Sequence, residues 1–101
     1  MQNKIKRIIE RNQNNIVEII SYFSEPGIED WFIREKPQRL FTEEVDGLTD
    51  EGLILSFHFN NAMFTFTEKS YNYYADEFKN YISLGSKKHD EHYIIINFIK
   101  E

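Results

Sequence analysis

The chain has 101 residues, an apolar fraction of 41%, no cysteine and a net charge of −5. This length and apolar content suit one domain with a hydrophobic core. The lack of cysteine and of any long apolar run favours a cytoplasmic protein without a signal peptide or a membrane partner. The negative charge disfavours nucleic acid as a partner, because a surface that binds nucleic acid needs a basic stripe.

The chain begins with two predicted helices. Apolar residues recur at spacings of three and four along residues 3–24, which predicts a long amphipathic helix, and the polar run at residues 12–15 predicts a kink in it. Pro26 and Gly27 then break the helix. The same spacing returns over residues 28–35, which predicts a short second helix.

The middle of the chain is predicted to form strands. Arg39–Val45 has the composition of a strand, and a turn follows it. Residues 53–67 alternate around Asn60 and Asn61, which predicts a β-hairpin with a type I′ turn. The expected buried face of this hairpin consists of Leu55, Phe57, Phe59, Ala62, Phe64 and Phe66.

A second long helix is predicted over residues 70–84, with Ser70 as its N-cap and Gly85 just after its last residue. The last predicted strand, His92–Ile99, is apolar on both faces, as a central strand would be. The order α-(α)-β-β-β-α-β predicts an α+β fold in one domain, residues 1–101. In that fold, two long helices pack against a mostly antiparallel four-stranded sheet with a central β-hairpin.

No residue pattern in the chain predicts catalysis or a metal site. His89 and His92 have a His-x-x-His spacing, but no third ligand has a defined spacing, and a polar turn is the interpretation we favour. No acid or nucleophile is tied by spacing to His58, so an active site around it is the weakest hypothesis. The carboxylates between Glu43 and Glu51 do not follow a calcium-loop pattern. We therefore expect no enzymatic activity, no metal and no cofactor.

The negative charge is concentrated in residues 25–51. This segment holds nine acidic and three basic side chains, a balance of −6. Acidic surfaces attract basic protein surfaces and accelerate their encounter. Trp31 lies in the same segment, where an interface anchor and a core residue are the two alternatives. The predicted partner-binding residues are Glu29, Asp30, Trp31, Glu43, Glu44, Asp46, Asp50 and Glu51.

In size, charge and predicted α+β order, the chain resembles the immunity proteins that bacteria carry beside contact-dependent or polymorphic toxins. The acidic stretch that contributes to this resemblance runs from Phe41 to Gly52. The resemblance implies a cytoplasmic protein that binds a cognate toxin domain, often a basic nuclease, and blocks its active site. The alternative is a small adaptor, a secretion chaperone or a homodimer in which Trp31, Tyr73 and Tyr81 mark the interface.

Overall fold

The computed structural model describes residues 2–23, 29–45 and 52–100, which form one helix and eight strands. The elements are α1 (Gln2–Arg11), β1 (Ile16–Phe23), β2 (Glu29–Glu35), β3 (Arg39–Val45), β4 (Gly52–His58), β5 (Met63–Thr67), β6 (Tyr71–Asp76), β7 (Tyr81–Ser86) and β8 (His92–Ile99). The strands form two antiparallel sheets, one in the order β2-β1-β8-β7-β6 and one in the order β3-β4-β5. The predicted α+β fold with two long helices is therefore wrong, and the chain is mostly β.

A single hydrophobic core joins α1 to both sheets. The helix contributes Ile5, Ile8 and Ile9, which are spaced by three and one residues and so lie on one helix face. The strands contribute every second residue, because alternate side chains of a strand point to opposite faces. The largest fully buried side chains of the strands are Val17, Ile19, Leu53, Leu55, Phe57, Ile82, Leu84, Ile94 and Ile96.

The predicted helix over residues 3–24 is wrong beyond Arg11, where α1 ends. The backbone N–H of Asn12 donates to the carbonyl of Ile9 at 3.3 Å, which tightens the last turn. The side-chain amide of Asn12 donates to the carbonyl of Ile8 at 2.6 Å and occupies it. The isoleucines that follow belong to β1 instead, because β-branched side chains pack well on a pleated sheet and β1 pairs with two neighbours.

The other two predicted helices are also strands. Residues 28–35 overlap β2, and residues 70–84 overlap the hairpin of β6 and β7. The turn of that hairpin contains Asn80 at a φ of 58°, a conformation that asparagine tolerates better than most residues. Ser70 lies in the turn between β5 and β6, and Gly85 lies within β7, so neither caps a helix.

The predicted strands are confirmed. β3 and β8 have the predicted bounds, and β8 lies centrally between β1 and β7. The β4–β5 hairpin also has the predicted register, although Ala62 and Phe64 of its expected buried face are only half-buried. The type I′ turn is wrong, because neither Asn60 nor Asn61 has a positive φ. The hairpin pairs are Leu55 with Phe66, Phe57 with Phe64, Ser56 with Thr65 and His58 with Met63.

Polar contacts attach α1 to β3 of the smaller sheet and to the β6–β7 turn of the larger one. Arg7 donates twice to the carboxylate of Glu77, at 2.7 and 3.0 Å, and this pairing lowers the pKa of Glu77. Lys6 pairs with Glu44 of β3 at 2.7 Å. With ten residues, α1 is neither long nor apolar enough to cross a membrane, and no other helix occurs in the described part of the chain.

Candidate functional site

The structure distributes the predicted partner-binding carboxylates over two sheets. Glu43 and Glu44 are exposed on β3, an edge strand of the three-stranded sheet, and the second of them is paired with Lys6. Glu29 and Asp30 belong to β2 on the five-stranded sheet, but their side chains are outside the described part of the structure. Asp46, Asp50 and Glu51 lie outside the described residues.

Trp31 has characteristics of both predicted alternatives. Its ring stacks on Phe64 of β5 with a centroid distance of 5.2 Å, yet 36% of the residue stays exposed. It therefore covers the core between β2 and β5, while β3 lies at the opposite edge of the smaller sheet. The structure does not bring Trp31 together with Glu43 and Glu44.

A surface that the sequence did not predict lies on the outer side of the five-stranded sheet, and we call it the open face. The core occupies the other side of this sheet, where α1 also packs. Every residue of the open face is exposed or half-buried. It consists of Ile16, Glu18, Ile20 and Tyr22 of β1, Phe32 and Arg34 of β2, Tyr93, Ile95, Asn97 and Ile99 of β8, Tyr81, Ser83 and Gly85 of β7, and Asn72, Tyr74 and Asp76 of β6.

An apolar row crosses the middle of the open face. The strand register places Phe32, Ile20, Ile95, Ser83 and Tyr74 side by side, one on each strand. Phe32 is 61% exposed and Tyr74 is 53% exposed. The row is apolar except at Ser83, and clustered apolar surface of this kind commonly marks an interaction site, whereas single exposed apolar residues need no explanation.

Beside this row the open face has open space above Gly85 of β7. Tyr22 and Tyr93 stack with a centroid distance of 4.9 Å, and Gly85 is the next residue in the register. A Cβ atom at Gly85 would meet nothing within 4 Å. Because Gly85 and Ser83 are both small, β7 is lower than the flanking side chains of β8 and β6. A side chain of a partner has room to enter there.

The opposite border of the apolar row is polar. Arg34 lies 3.9 Å from Glu18, and Asn97 donates to the same carboxylate at 3.1 Å. Tyr81 and Asp76 continue this row across β7 and β6. The open face thus has a hydrogen-bonded polar row beside its apolar row, with Ile16 and Ile99 beyond the polar row. Protein interfaces likewise combine apolar and hydrogen-bonded groups.

The histidines do not form an accessible catalytic centre in the described structure. His92 Nε2 lies 3.0 Å from Ser21 Oγ, which is the separation of a base and a nucleophile. Ser21 is fully buried, however, and no substrate reaches it. The ring of His58 packs edge-on against Phe41 at 5.2 Å. Among the described residues, no three histidine, aspartate or glutamate side chains converge as metal ligands would.

Tyr73 has a strongly raised pKa, but its hydroxyl makes a structural contact and does not mark a functional site. The single hydroxyl proton of Tyr73 is shared between two backbone carbonyls, those of Leu53 at 2.7 Å and Phe66 at 2.9 Å from Oη, which joins β6 to the smaller sheet. Burial raises the pKa of Tyr73, and the nearby charge of Glu68 adds to this effect. A perturbed pKa often marks a functional group. Here it follows from a neutral hydroxyl that holds the two sheets together.

Comparison with known proteins found no relative of this chain. No family model matches it, and no curated protein and no solved structure is similar to it. The surface geometry and the charge distribution are therefore the basis for a functional proposal.

Proposed function

We propose that this protein is an immunity protein that binds a cognate toxin domain in the cytoplasm and neutralises it by covering its active site. The observation that carries the proposal is the apolar row of the open face, whose two ends, Phe32 and Tyr74, are more than half exposed. Aromatic side chains at such positions are favourable anchors, because they bury a large area on binding and lose few rotatable bonds.

The charge of the chain supports a basic partner. Residues 25–51 carry −6, and β2, which forms one edge of the open face, belongs to this segment. A nuclease domain must itself be basic where it binds nucleic acid. The acidic segment would therefore attract the same toxin surface that has to be covered.

The size of the open face also supports contact beyond the sheet. Five strands spaced about 4.8 Å apart and six to eight residues long present roughly 500 Å². A standard interface buries about 800 Å² of each partner. The toxin domain would thus contact residues beyond the sheet as well. At the β2 edge such residues belong to the acidic segment, which favours a basic partner.

The first test is a co-expression experiment with the toxic C-terminal domain of the protein encoded immediately upstream. Expression of that domain alone should arrest growth, and co-expression of the wild-type chain should restore it. The variant Phe32→Ser/Tyr74→Ser should fail to restore growth, because it removes both aromatic ends of the apolar row. Phe78→Ser is the matched control, since Phe78 is 98% exposed in the β6–β7 turn and lies off the open face.

Two results would contradict the proposal. One is an upstream gene without a toxic domain, or a toxic domain that the wild-type chain does not neutralise. The other is a stable homodimer in light scattering that Phe32→Ser/Tyr74→Ser converts to a monomer. That second result would assign the open face to a dimerisation module instead.

The contribution of charge is tested separately by association kinetics. Glu43→Lys should slow association with the toxin domain, and salt should reduce the difference from wild type. Glu91→Lys makes the same change in net charge outside the acidic segment and is the control. Equal effects of the two variants would show that net charge matters and the acidic segment does not.

A further inference from the structure

A basic cleft lies at one end of the core, between the β5–β6 turn and the loop that follows β7. Its volume is about 470 Å³, within the range of small-molecule sites. It is distinct from the open face, because its residues lie in turns or at strand ends. The cleft is lined by Lys69, Ser70, Tyr71, Ser86, Lys87, Lys88, His89 and His92.

The charge of this cleft is opposite to that of the chain. Among the described residues, three lysines and two histidines line it and no carboxylate does, although the chain as a whole carries −5. The acidic residues next to the cleft in the sequence, Glu68, Asp90 and Glu91, are not among the residues that line it. Glu68 Oε1 accepts the backbone N–H of Leu53 at 2.7 Å, and Asp90 and Glu91 are exposed on the following turn. Basic groups gathered in a concave site attract anions more strongly than scattered ones do.

Hydrogen bonds hold the walls of the cleft in place. The backbone N–H of Lys87 donates to the carbonyl of Ser70 at 3.0 Å, and Lys87 Nζ donates to the carbonyl of Glu68 at 2.6 Å. Ser86 Oγ accepts the backbone N–H groups of Lys88 at 3.3 Å and His89 at 3.1 Å. The Ser86 hydroxyl proton is then directed away from those two donors. A site that is formed in advance loses less entropy when a ligand binds.

Two aromatic rings, whose planes are inclined at 67° to each other, line the cleft. The ring centroids of Tyr71 and His92 lie 6.4 Å apart. His92 is held by Ser21 Oγ at 3.0 Å and by the ring of Phe23 at 5.9 Å. A ligand ring that stacks on such side chains strengthens binding, and this holds for any planar aromatic ring.

We propose that this cleft binds a phosphorylated small molecule with a planar ring, that is, a nucleotide. Lys69 and Lys88 neutralise its phosphates, Ser86 donates a hydrogen bond to a phosphate oxygen, and the rings of Tyr71 and His92 contact the base. Lys87 holds the wall of the cleft as well as contributing charge. This proposal is independent of the toxin-binding function.

The experiment is titration calorimetry of the full chain with ADP, pyrophosphate and adenosine. ADP should bind more tightly than pyrophosphate, and adenosine should not bind measurably. Lys69→Gln/Lys88→Gln should weaken ADP binding by about tenfold or more, as loss of two charge contacts predicts. Lys79→Gln, outside the cleft, should leave it unchanged. Tyr71→Leu should weaken ADP and leave pyrophosphate unaffected.

The negative outcomes are equally specific. No heat with ADP at millimolar concentration overturns the proposal. Equal weakening by Lys79→Gln and by Lys69→Gln/Lys88→Gln also overturns it, because binding would then follow net charge alone. Pyrophosphate binding as tight as that of ADP refutes the role of the two rings. The melting temperature of each variant, compared with wild type, excludes unfolding as the cause of a loss.

Discussion

A reciprocal amide pair joins the end of α1 to the β6–β7 turn, and its removal tests the fold. Asn12 is fully buried, and its Nδ2 donates to Asn80 Oδ1 at 2.7 Å. Asn80 Nδ2 donates back to Asn12 Oδ1 at 3.0 Å, and Asn15 Nδ2 donates to the same oxygen at 2.7 Å. With the bond to the Ile8 carbonyl, Asn12→Ala therefore deletes four side-chain hydrogen bonds and takes this acceptor away from the amide nitrogens of Asn80 and Asn15.

The expected loss in unfolding free energy follows from the polar groups that Asn12→Ala leaves without partners. A buried polar group that loses its partner costs about 1–3 kcal/mol. Asn80 Nδ2 is only partly buried, but Asn12→Ala also leaves a small void and removes the amide that occupies the carbonyl of Ile8. We expect a loss of about 2–4 kcal/mol in unfolding free energy, which lowers the melting temperature by roughly 10–25 °C in a domain of this length.

Thermal and urea unfolding followed by circular dichroism measure this loss. Asn15→Ala is the control, because it removes one bond and should cost less than about 1 kcal/mol. A double-mutant cycle of Asn12→Ala with Asn80→Ala should give a coupling energy of about 1–2 kcal/mol, in which the strain of alanine at positive φ cancels. Additive effects, or an Asn12→Ala loss no greater than that of Asn15→Ala, would refute the reasoning.

Four further predictions address the core, the sheet contacts and the ion pair. Phe57→Ala should cost about 3–5 kcal/mol in urea unfolding, because Phe57 is fully buried. Tyr73→Phe should cost about 0.5–1.5 kcal/mol, because the shared hydroxyl hydrogen bond is lost while the Leu53 carbonyl still accepts the backbone N–H of Glu68. Glu77 has a lowered pKa in the folded chain, so its ionised carboxylate stabilises the fold above its ordinary pKa of 4.5. This stabilisation is lost as the pH falls from 4.5 through the lowered pKa of the folded chain. Arg7→Gln should weaken this acid dependence of the melting temperature. Gly85→Val should leave the unfolding free energy within about 1 kcal/mol of wild type or raise it, because its Cβ enters open space in a strand.

The β4–β5 hairpin could be predicted because its signal is local. One face of each arm is apolar, the other is largely polar, and a short polar turn joins them, so only one register satisfies both arms. Long-range contacts have no such signal. Ser21 and His92, for example, are 71 positions apart, and only the β1–β8 pairing brings them together.

The helix predictions are wrong for β1, β2, β6 and β7 of the larger sheet, and the apolar open face is the reason. In β1, Val17 and Ile19 point into the core while Ile16 and Ile20 point outward. Apolar residues on both faces of a strand produce the spacing of three and four that also defines an amphipathic helix. The wrong helix prediction and the apolar outer surface therefore have one physical cause.

The affinity of the toxin domain for Gly85→Val tests the central claim most directly, since the valine side chain projects from the open face at a position where its Cβ meets no atom within 4 Å. We predict that titration calorimetry shows at least about tenfold weaker binding for Gly85→Val, with a melting temperature no lower than that of the wild type. Phe78→Ser, which is exposed outside the open face, should bind as the wild type does. Wild-type affinity for both Gly85→Val and Phe32→Ser/Tyr74→Ser would contradict the assignment of the open face as the toxin-binding surface.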